Sequence, residues 1–403
     1  MMRSAFVTLI LAMAACTNER TESSPFVETD SAGIRIVENR ADTATLRAGW
    51  ALAAEPTLTI GGAGAPDAEQ LYQVSGALRL PDGRIAIANG GAAQIRIHAA
   101  DGTLLATWGR KGEGPGEYTQ PTLAGRMNGD SLVVFDASQR RASVLTADSG
   151  YIRSYAVGTE GGGWPIAKGT LPDGSIAIGG GMYFSSADGF PNGLIRAPSK
   201  YVIIAPDGTT RLDLGDYPAA EMFARADGNR FSASVVPFGR LTGYAVTPDR
   251  IWIGTGDAWS LNAFTLDGRL ERVVRFDRAR RPVTAGMKQA AIDEKVADAS
   301  NENEAREIRA NMAEMPIPEY LPPWELFIAD AAGDIWIGEV LAPGEQARTW
   351  TIIDPLGRVI GRLTTPPRTL PLDIGADYIL ALTSDALDVE RLTLWSLQRP
   401  SSH

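Results

Sequence analysis

A glycine-rich stretch, WGRKGEGPGEY at residues 108–118, raises the question of phosphate binding. A phosphate-binding loop needs backbone N–H groups that converge at a helix N-terminus, usually with Lys and a hydroxyl residue after the last glycine. Here Glu117 and Tyr118 follow instead, and Pro121 stands where the helix would run. The spacing argues against nucleotide binding. It favours a tight chain reversal in which glycines adopt positive φ and Glu117 accepts backbone N–H groups.

The small number of histidines and cysteines, and the placement of the aspartates in turns, argue against several kinds of catalytic site. The sequence has two histidines, His98 in a predicted half-buried strand and the terminal His403, and one cysteine. A Ser-His-Asp triad and a His₃ zinc site therefore lack their residues. Many aspartates stand in PDG, ADG and LDG turns, where Asp bonds its own backbone, and no DxDxDG-like calcium loop is present. We expect no cofactor and no metal.

Six segments share a tight turn followed by a β-rich run: residues 80–89, 128–138, 171–180, 247–256, 331–340 and 375–384. Five are followed by a second hairpin, whereas the sixth ends in RLTLWSLQ without an outer strand. The segment PTLTIGG, residues 56–62, has the form of that missing strand. The pattern predicts an all-β fold, a six-bladed β-propeller closed by an N-terminal strand, because closure pairs edges that an open array leaves unsatisfied. A pair of β-sandwiches or a β-helix is the alternative.

The first residues, MMRSAFVTLILAMAAC, have the pattern of a secretory signal, with Arg3, a short apolar core and small residues before Cys16. The ending MAAC resembles a bacterial lipoprotein cleavage box, which implies that Cys16 becomes lipidated. Thr17 rather than Asp follows it, which by the same resemblance favours the outer membrane, facing the periplasm or the exterior. Ordinary signal cleavage with an incidental thiol is the alternative.

These features divide the chain into a signal peptide (1–15), a tether with a peripheral strand (16–45) and the β-propeller (46–403), which contains a helical insertion at about 283–315. The segment 284–313 is helix-like in composition, and SNENE at 300–304 is expected to break it into two helices. The net charge of −10 disfavours nucleic acid as a partner, because such binding depends on Lys and Arg neutralising phosphates.

The stretch GRKGEGPGEYTQP, followed by DSLVVFD, Arg141 and a glycine-bounded hairpin, resembles an NHL-type repeat. The start TDSAGIRIVEN and the end SDALDVERLTLWSL are similar to those of bacterial six-bladed propeller lipoproteins. This resemblance covers almost the whole mature chain and implies the fold. It implies no particular activity, because one fold hosts many functions.

The presumed innermost strands bear on whether the protein is an enzyme. They read GALRL, LAGRM, AKGTL, GYAVT and ELFIA, in which Glu325 is the acidic residue, whereas Arg79, Arg126 and Lys168 are basic. Basic residues in a central channel would repel a metal and attract an anion. This disfavours a metal-dependent enzyme. A hydrolase or lactonase that holds a metal through oxygen ligands in the channel is the alternative function. Arg79 and Arg126 stand at matching places in consecutive repeats, so they are also candidates for struts that pair with Asp.

Long connections are concentrated on one face of the expected fold. In a four-stranded antiparallel unit, the turns after the first and third strands lie on one face, and the remaining connections lie on the other. The short Asp-Gly turns belong to the first class. The long segments belong to the second and form what we call the loop-rich face: residues 109–121, 159–167, 181–199, 215–240 and 277–323. Loops on a rigid scaffold are where binding sites concentrate.

The sequence therefore favours a lipid-anchored binding or scaffold module for a protein, peptide or glycan over an enzyme. Basic and aromatic side chains are typical of binding hot spots. The candidate binding residues are Arg79, Arg126, Lys168, Tyr118, Trp164, Tyr183, Phe184, Phe231, Arg240 and Glu325. Packing of the inserts onto the sheets is the alternative role for these aromatics.

The proposed lipid site gives a direct prediction. Replacing Cys16 by Ala should move the protein from the membrane fraction to the soluble fraction, because no other thiol in the chain can carry the lipid. Fractionation of cells that express each form measures this, and unchanged partitioning of the variant would show that lipid on Cys16 is not the anchor.

Overall fold

A computed structural model describes residues 24–40, 49–66, 69–127, 130–158, 163–179, 181–183, 190–227 and 230–400. Cys16, Phe184 and His403 lie outside these ranges, as do the signal peptide and the first residues of the expected tether. The sequence-based statements about these positions stay predictions.

The strands form sheets of four or more strands, which we name A to F, and a smaller sheet G. The N-terminal strands are β1 (Phe26–Ser31), β2 (Ile34–Asn39), β3 (Ala51–Leu52) and β4 (Leu58–Gly61). Sheet A contains β5 (Val74–Arg79), β6 (Ile85–Asn89), β7 (Gln94–His98) and β8 (Leu104–Trp108). Sheet B contains β9 (Pro121–Arg126), β10 (Ser131–Asp136), β11 (Arg141–Thr146) and β12 (Gly150–Ala156). Sheet C contains β13 (Ile166–Thr170), β14 (Ile176–Gly179) and, after β15 (Gly193–Ile195), β16 (Pro198–Ile204) and β17 (Thr210–Pro218).

The second half of the chain repeats this arrangement. Sheet G joins β15 to β18 (Met222–Asp227) and β19 (Arg230–Val235). Sheet D contains β20 (Gly243–Val246), β21 (Arg250–Gly254), β22 (Ser260–Thr265) and β23 (Leu270–Phe276), and β1 and β2 extend it beyond β23. Two helices follow, α1 (Ala285–Ala297) and α2 (Glu302–Glu314). Sheet E contains β24 (Leu326–Ala329), β25 (Ile335–Gly338), β26 (Thr349–Ile353) and β27 (Val359–Thr364). Sheet F contains β28 (Thr369–Ile374), β29 (Tyr378–Ser384) and β30 (Glu390–Gln398), with β4 and β3 paired to β30.

Aspartates in the Asp-Gly turns act as the sequence predicts, by bonding their own backbone. In each turn the carboxylate accepts the N–H of the residue two positions later, at 3.0 Å for Asp82, 2.9 Å for Asp173 and 2.9 Å for Asp207. The same bond, from the backbone of Thr103, holds the pKa of Asp101 below its usual value. These carboxylates are committed to turn geometry.

The middle strands of the sheets are buried on both faces, which explains their continuous apolar runs. IAIAN in β6 and IWIG in β25 are buried at every position, whereas LLATW in β8, an outer strand, alternates with solvent. A strand that is covered on both sides needs no polar face. The runs therefore mark sheets that pack against a neighbour on each side.

The hydrophobic cores lie between consecutive sheets, in cyclic order. Clusters join A to B, B to C, C to D, D to E and E to F. A further cluster returns from F to A and contains Ile60 of β4, Leu392 of β30 and Ile87 of β6. The first strands of the sheets also contact each other in this order, β5, β9, β13, β20, β24, β28 and again β5. The architecture is an all-β, propeller-like ring.

The strand that was expected to complete the last sheet does so. Residues of PTLTIGG form β4, which pairs antiparallel with β30, so that Ile60 lies opposite Leu392. The C-terminal sheet thus receives its outer strand from the N-terminal end of the chain.

Within the predicted tether and peripheral strand, 16–45, residues 26–39 form a hairpin on the outer edge of sheet D. Strand β2 pairs in parallel with β23, and Val37 is fully buried in the core between sheets D and E. Asn39 donates from Nδ2 to Gly357 O at 2.9 Å and accepts the N–H of Val359 at 2.8 Å. Periodicity alone could not show that this segment crosses to a second sheet.

The insertion at 283–315 contains two helices, but the break between them lies at 298–301 rather than 300–304. Asn301 is the reason, since its side chain caps α2 by accepting the N–H groups of Asn303 and Glu304. The helices pack on sheet G through a cluster that includes Met312, Met315 and Val236. Sheet G itself was missed, because β15, β18 and β19 lie in segments that were expected to be connections.

A buried ion cluster ties sheet E to sheet F. Arg399 donates to Asp330 at 2.7 Å and to Asp334 at 3.0 Å, and it also binds the carbonyls of Gly375 and Ala376. Burial, together with the neighbouring Asp330 carboxylate, raises the pKa of Asp334 to about 6.

We predict that Asn39→Ala lowers the free energy of unfolding by about 2–3 kcal/mol, because it leaves the buried Gly357 carbonyl and Val359 N–H without partners. Urea denaturation measures this. Asn303→Ala, an exposed position on α2, is the control and should change stability by less than about 0.5 kcal/mol. Equal effects of the two variants would contradict an anchoring role for Asn39.

The raised pKa of Asp334 predicts a pH dependence. Because the folded-state pKa of about 6 exceeds the usual value of 3.8, the folded protein binds the extra proton between these values, and the free energy of unfolding falls as pH rises through them. The free energy of unfolding of wild type minus that of Asp334→Asn should fall by about 1–3 kcal/mol from pH 4 to pH 7. Asp101→Asn removes a carboxyl of lowered pKa. The free energy of unfolding of wild type minus that of this variant should therefore rise, rather than fall, as pH rises. A pH-independent difference for Asp334→Asn would refute the prediction.

Candidate functional site

The predicted basic residues of the innermost strands are partly engaged in contacts between sheets. Arg126 donates to the carbonyl of Arg79 at 2.7 Å and lies 3.7 Å from the Asp373 carboxylate of sheet F. The Arg79 guanidinium lies over the Tyr378 ring at 4.8 Å, and its backbone N–H donates to Asp373. Both arginines stand where β5 and β9 end, at the short-turn side, so they are remote from the loop-rich face. These contacts support the strut interpretation.

Lys168 behaves differently from these arginines. It lies at a β-bulge in β13, half-buried, and burial lowers its pKa. Its ammonium group makes no hydrogen bond or ion pair with another residue of the described ranges.

The glycine-rich stretch at 108–118 is a corner, as expected. Gly109 and Gly116 have positive φ of 84° and 71°, and Glu117 accepts the backbone N–H of Gly114 at 2.9 Å. Arg141 completes the corner from sheet B by donating to three carbonyls of the loop. Tyr118 corrects one expectation: it is 1% exposed and packs in the core between sheets A and B, so it is not available to a partner.

The other predicted aromatic residues lie on the loop-rich face with different degrees of exposure. Trp164 is 54% exposed. Phe231 is half-buried and stacks on Phe190 with ring centroids 4.7 Å apart. Tyr183 donates to Asp216 at 2.8 Å, and this hydrogen bond raises its pKa.

Arg240 belongs to an ion network that holds the loops. It contacts Glu221 through its backbone N–H and its guanidinium, with a shortest distance of 2.6 Å, and Asp257 at 2.7 Å. Burial would raise the pKa of Glu221, but the hydrogen bonds from Arg240 outweigh it, and the pKa lies below its usual value. Arg196 donates to the same Asp257 and to three backbone carbonyls. The predicted Arg240 is thus structural as well as surface-facing.

Glu325 leads to a second set of charged residues that the sequence did not single out. It accepts from Arg348 at 2.7 Å, and Arg348 also donates to the carbonyl of Glu339. The Glu339 carboxylate accepts from Arg278 at 2.9 Å and from Arg362. The basic run DRARRP at 277–282 lies in this region and is a sequence feature that could have pointed to it.

Two adjoining cavities open on the loop-rich face beside these residues. The first has a volume of about 270 Å³ and the second about 460 Å³, and both are lined by Trp259 and residues 321–323. Residues 256–259 and 339–340, which lie in shorter connections, also line these cavities. The site therefore lies where sheets D and E meet.

The histidine that the structure describes is not a ligand candidate. His98 is fully buried in β7, contacts Gly102 O through Nδ1 at 2.9 Å, and its pKa is lowered by burial. Among the described residues, no group of three or more His, Cys, Asp and Glu side chains could hold a metal ion. No helix in the described part of the chain is long and apolar enough to cross a bilayer.

Comparisons with known proteins support the fold. Neither a protein-family profile nor a curated protein sequence matches the chain. A member of the DUF4221 family from Bacteroides vulgatus superposes with a TM-score of 0.52 and 12% identity over 88% of this chain and 99% of its own. A candidate exported protein of Bacteroides fragilis superposes with a TM-score of 0.47 and 11% identity over 91% of this chain and 100% of its own. Virginiamycin B lyase from Staphylococcus aureus superposes with a TM-score of 0.38 and 12% identity over 81% of this chain and 95% of its own. The first similarity supports the propeller-like fold, and none of the three carries an activity to this chain.

Proposed function

We propose that the protein is an exported, lipid-anchored six-bladed β-propeller that binds a protein, peptide or glycan through its loop-rich face. The observation that carries the proposal is the asymmetry of the fold. The short-turn side includes Asp-Gly turns whose carboxylates are already bonded, whereas the opposite side has both helices, sheet G and the two cavities. The loop-rich side therefore offers concave, chemically mixed surface.

Exposed apolar side chains distinguish the loop-rich face further. Trp164, Phe190, Leu194, Val235 and Tyr320 are all exposed there, with Val235 at 62%. Clustered apolar exposure beside basic residues is typical of interaction surfaces. Part of the insertion has a packing role, since α2 buries Met312 against sheet G, but these side chains are left outside that core.

The anchor would hold this face near the membrane. Pro25 accepts the N–H of Arg40, and the carbonyl of the adjacent Asn39 accepts the N–H of Asp277, which lines the first cavity. The nine residues 17–25 connect this point to Cys16 and span at most about 30 Å when extended. A partner would therefore be bound close to the lipid surface.

The proposal predicts which surface controls binding. Peptide and glycan arrays would be probed with the soluble chain from residue 17, and the affinity of each hit measured. Trp164→Ala and Leu194→Ala should weaken binding about tenfold or more, because exposed anchors of this kind contribute about 1–2 kcal/mol each. Leu105→Ala, which is 55% exposed on the outer strand of sheet A, should leave the affinity unchanged.

Hydrogen exchange in the presence of the hit provides an independent check. Protection should fall on residues of the loop-rich face. Protection confined to the turns around Asp82, Asp173 and Asp207, or insensitivity of binding to both loop-face variants, would overturn the proposal.

A further inference from the structure

The lining of the first cavity is chemically mixed. Leu321, Pro322 and Val340 are apolar, and the charged residues are Asp277, Arg278, Arg281, Glu339 and Arg362. Arg281 is paired with Glu345 at 2.7 Å, whereas Arg278 and Arg362 share the single carboxylate of Glu339. Two guanidinium groups on one carboxylate leave these three side chains with a surplus of positive charge.

Two of these arginines are under-used as hydrogen-bond donors. Arg278 Nη1 and Arg362 Nη2 both donate to the same oxygen, Oε1 of Glu339. Their side chains are only 15% and 20% exposed, and Nε of Arg362 is buried with no acceptor among the described residues. Each guanidinium carries five N–H groups, so most of the donors in this pair have no protein acceptor within the described part of the chain.

Buried arginines of this molecule differ in how many acceptors they have. Arg196, at 11% exposure, donates to four acceptors, Ala219 O, Pro218 O, Thr255 O and Asp257. Arg399, at 17%, also has four. Arg272 has one, Leu356 O, and its Nε has no acceptor among the described residues, but it does not line the first cavity. Arg278 and Arg362 share one carboxylate oxygen and do line the cavity.

The Arg278 guanidinium also lies on an aromatic support. Arg278 lies over the Trp259 ring at 4.8 Å, and Trp259 packs edge-on against Trp324 and Phe276. Burial, together with the nearby Arg362, lowers the pKa of Arg278, as expected for a cation that has lost water and faces another cation. A ligand that brings negative charge would relieve both effects.

We propose that this cavity binds a small organic carboxylate, with the carboxylate on Arg278 and Arg362 and its apolar body against Leu321, Pro322 and Val340. The planar fork of a guanidinium matches a carboxylate through paired N–H donors. The surplus of one positive charge among Arg278, Arg362 and Glu339 suits a monoanion, and a volume of about 270 Å³ suits a ligand of small-molecule size. This inference rests on the proposed binding role of the loop-rich face and gives that face a ligand class.

Isothermal titration of the soluble chain with phenylacetate tests the proposal, with phenylacetamide and inorganic phosphate as comparison ligands. One-to-one, saturable binding of phenylacetate is expected, at least tenfold tighter than that of the neutral amide or of phosphate. No saturable binding of phenylacetate, or equal affinity for the amide, would overturn the carboxylate site. Equal affinity for phosphate would overturn the assignment of ligand class.

Variants separate recognition from folding. Arg278→Gln and Arg362→Gln should each weaken phenylacetate binding at least tenfold. Glu339→Gln should strengthen it several-fold, because it removes the carboxylate that competes for both arginines. Arg110→Gln, which replaces an arginine 80% exposed on the same face, should bind as wild type. Melting temperatures identify any variant that fails to fold, and a folded Glu339→Gln or Arg362→Gln with wild-type affinity would overturn the proposal.

The two proposals fail in different experiments. Loss of phenylacetate binding with retained effects of Trp164→Ala on array hits would remove the carboxylate site and leave the proposed function standing. Carboxylate binding without any array ligand would leave a small-molecule receptor in place of the proposed macromolecular binding module.

Discussion

The pairing of β4 with β30 is the contact on which the rest of this structure depends. It puts a strand from the N-terminal part of the chain on the edge of the C-terminal sheet, with Ile60 opposite Leu392. The same residues form the core between sheets F and A. An unpaired edge at β30 would expose backbone donors and acceptors, and sheet A would lose its contact with Ile60. This long-range pairing therefore joins the contacts of β28 and β29 with β5 in closing the cyclic order of cores.

The two sides of a ring of this kind carry different kinds of connection. Strand direction puts every turn after a first or third strand on one side, and these turns are short because Asp carboxylates bond the backbone within them. The connections to the next sheet must cross from rim to hub, and this side accommodates insertions without disturbing the cores. Sheet G and both helices are built from such segments. A rigid ring thus carries a variable surface on one side.

Arginine chemistry organises that surface. In an acidic protein, Arg196 and Arg348 hold connections together by bonding carboxylates and backbone carbonyls at once, and Arg240 does so by bonding two carboxylates. Buried ion pairs of this type contribute mainly to geometry, because desolvation offsets much of their attraction. Arg278 and Arg362 share a single carboxylate oxygen, and Arg278 lies on the Trp259 ring. Their shared acceptor and their place in the lining of a cavity together make these two arginines candidates for ligand binding.

The local features of this protein were determined by its sequence: the Asp-Gly turns, the doubly buried runs such as IWIG, the two helices and the unpaired last hairpin all follow from spacing over a few residues. Contacts between distant segments required the tertiary structure. Tyr118 was expected on the surface and is buried, because the corner folds it onto a neighbouring sheet. The hairpin of β1 and β2 joins sheet D through a parallel pairing that no local pattern encodes. Glu339 and Arg362 meet Arg278 across more than sixty residues of chain. Side chains so far apart become a site only when sheet packing brings them together, which periodicity cannot report.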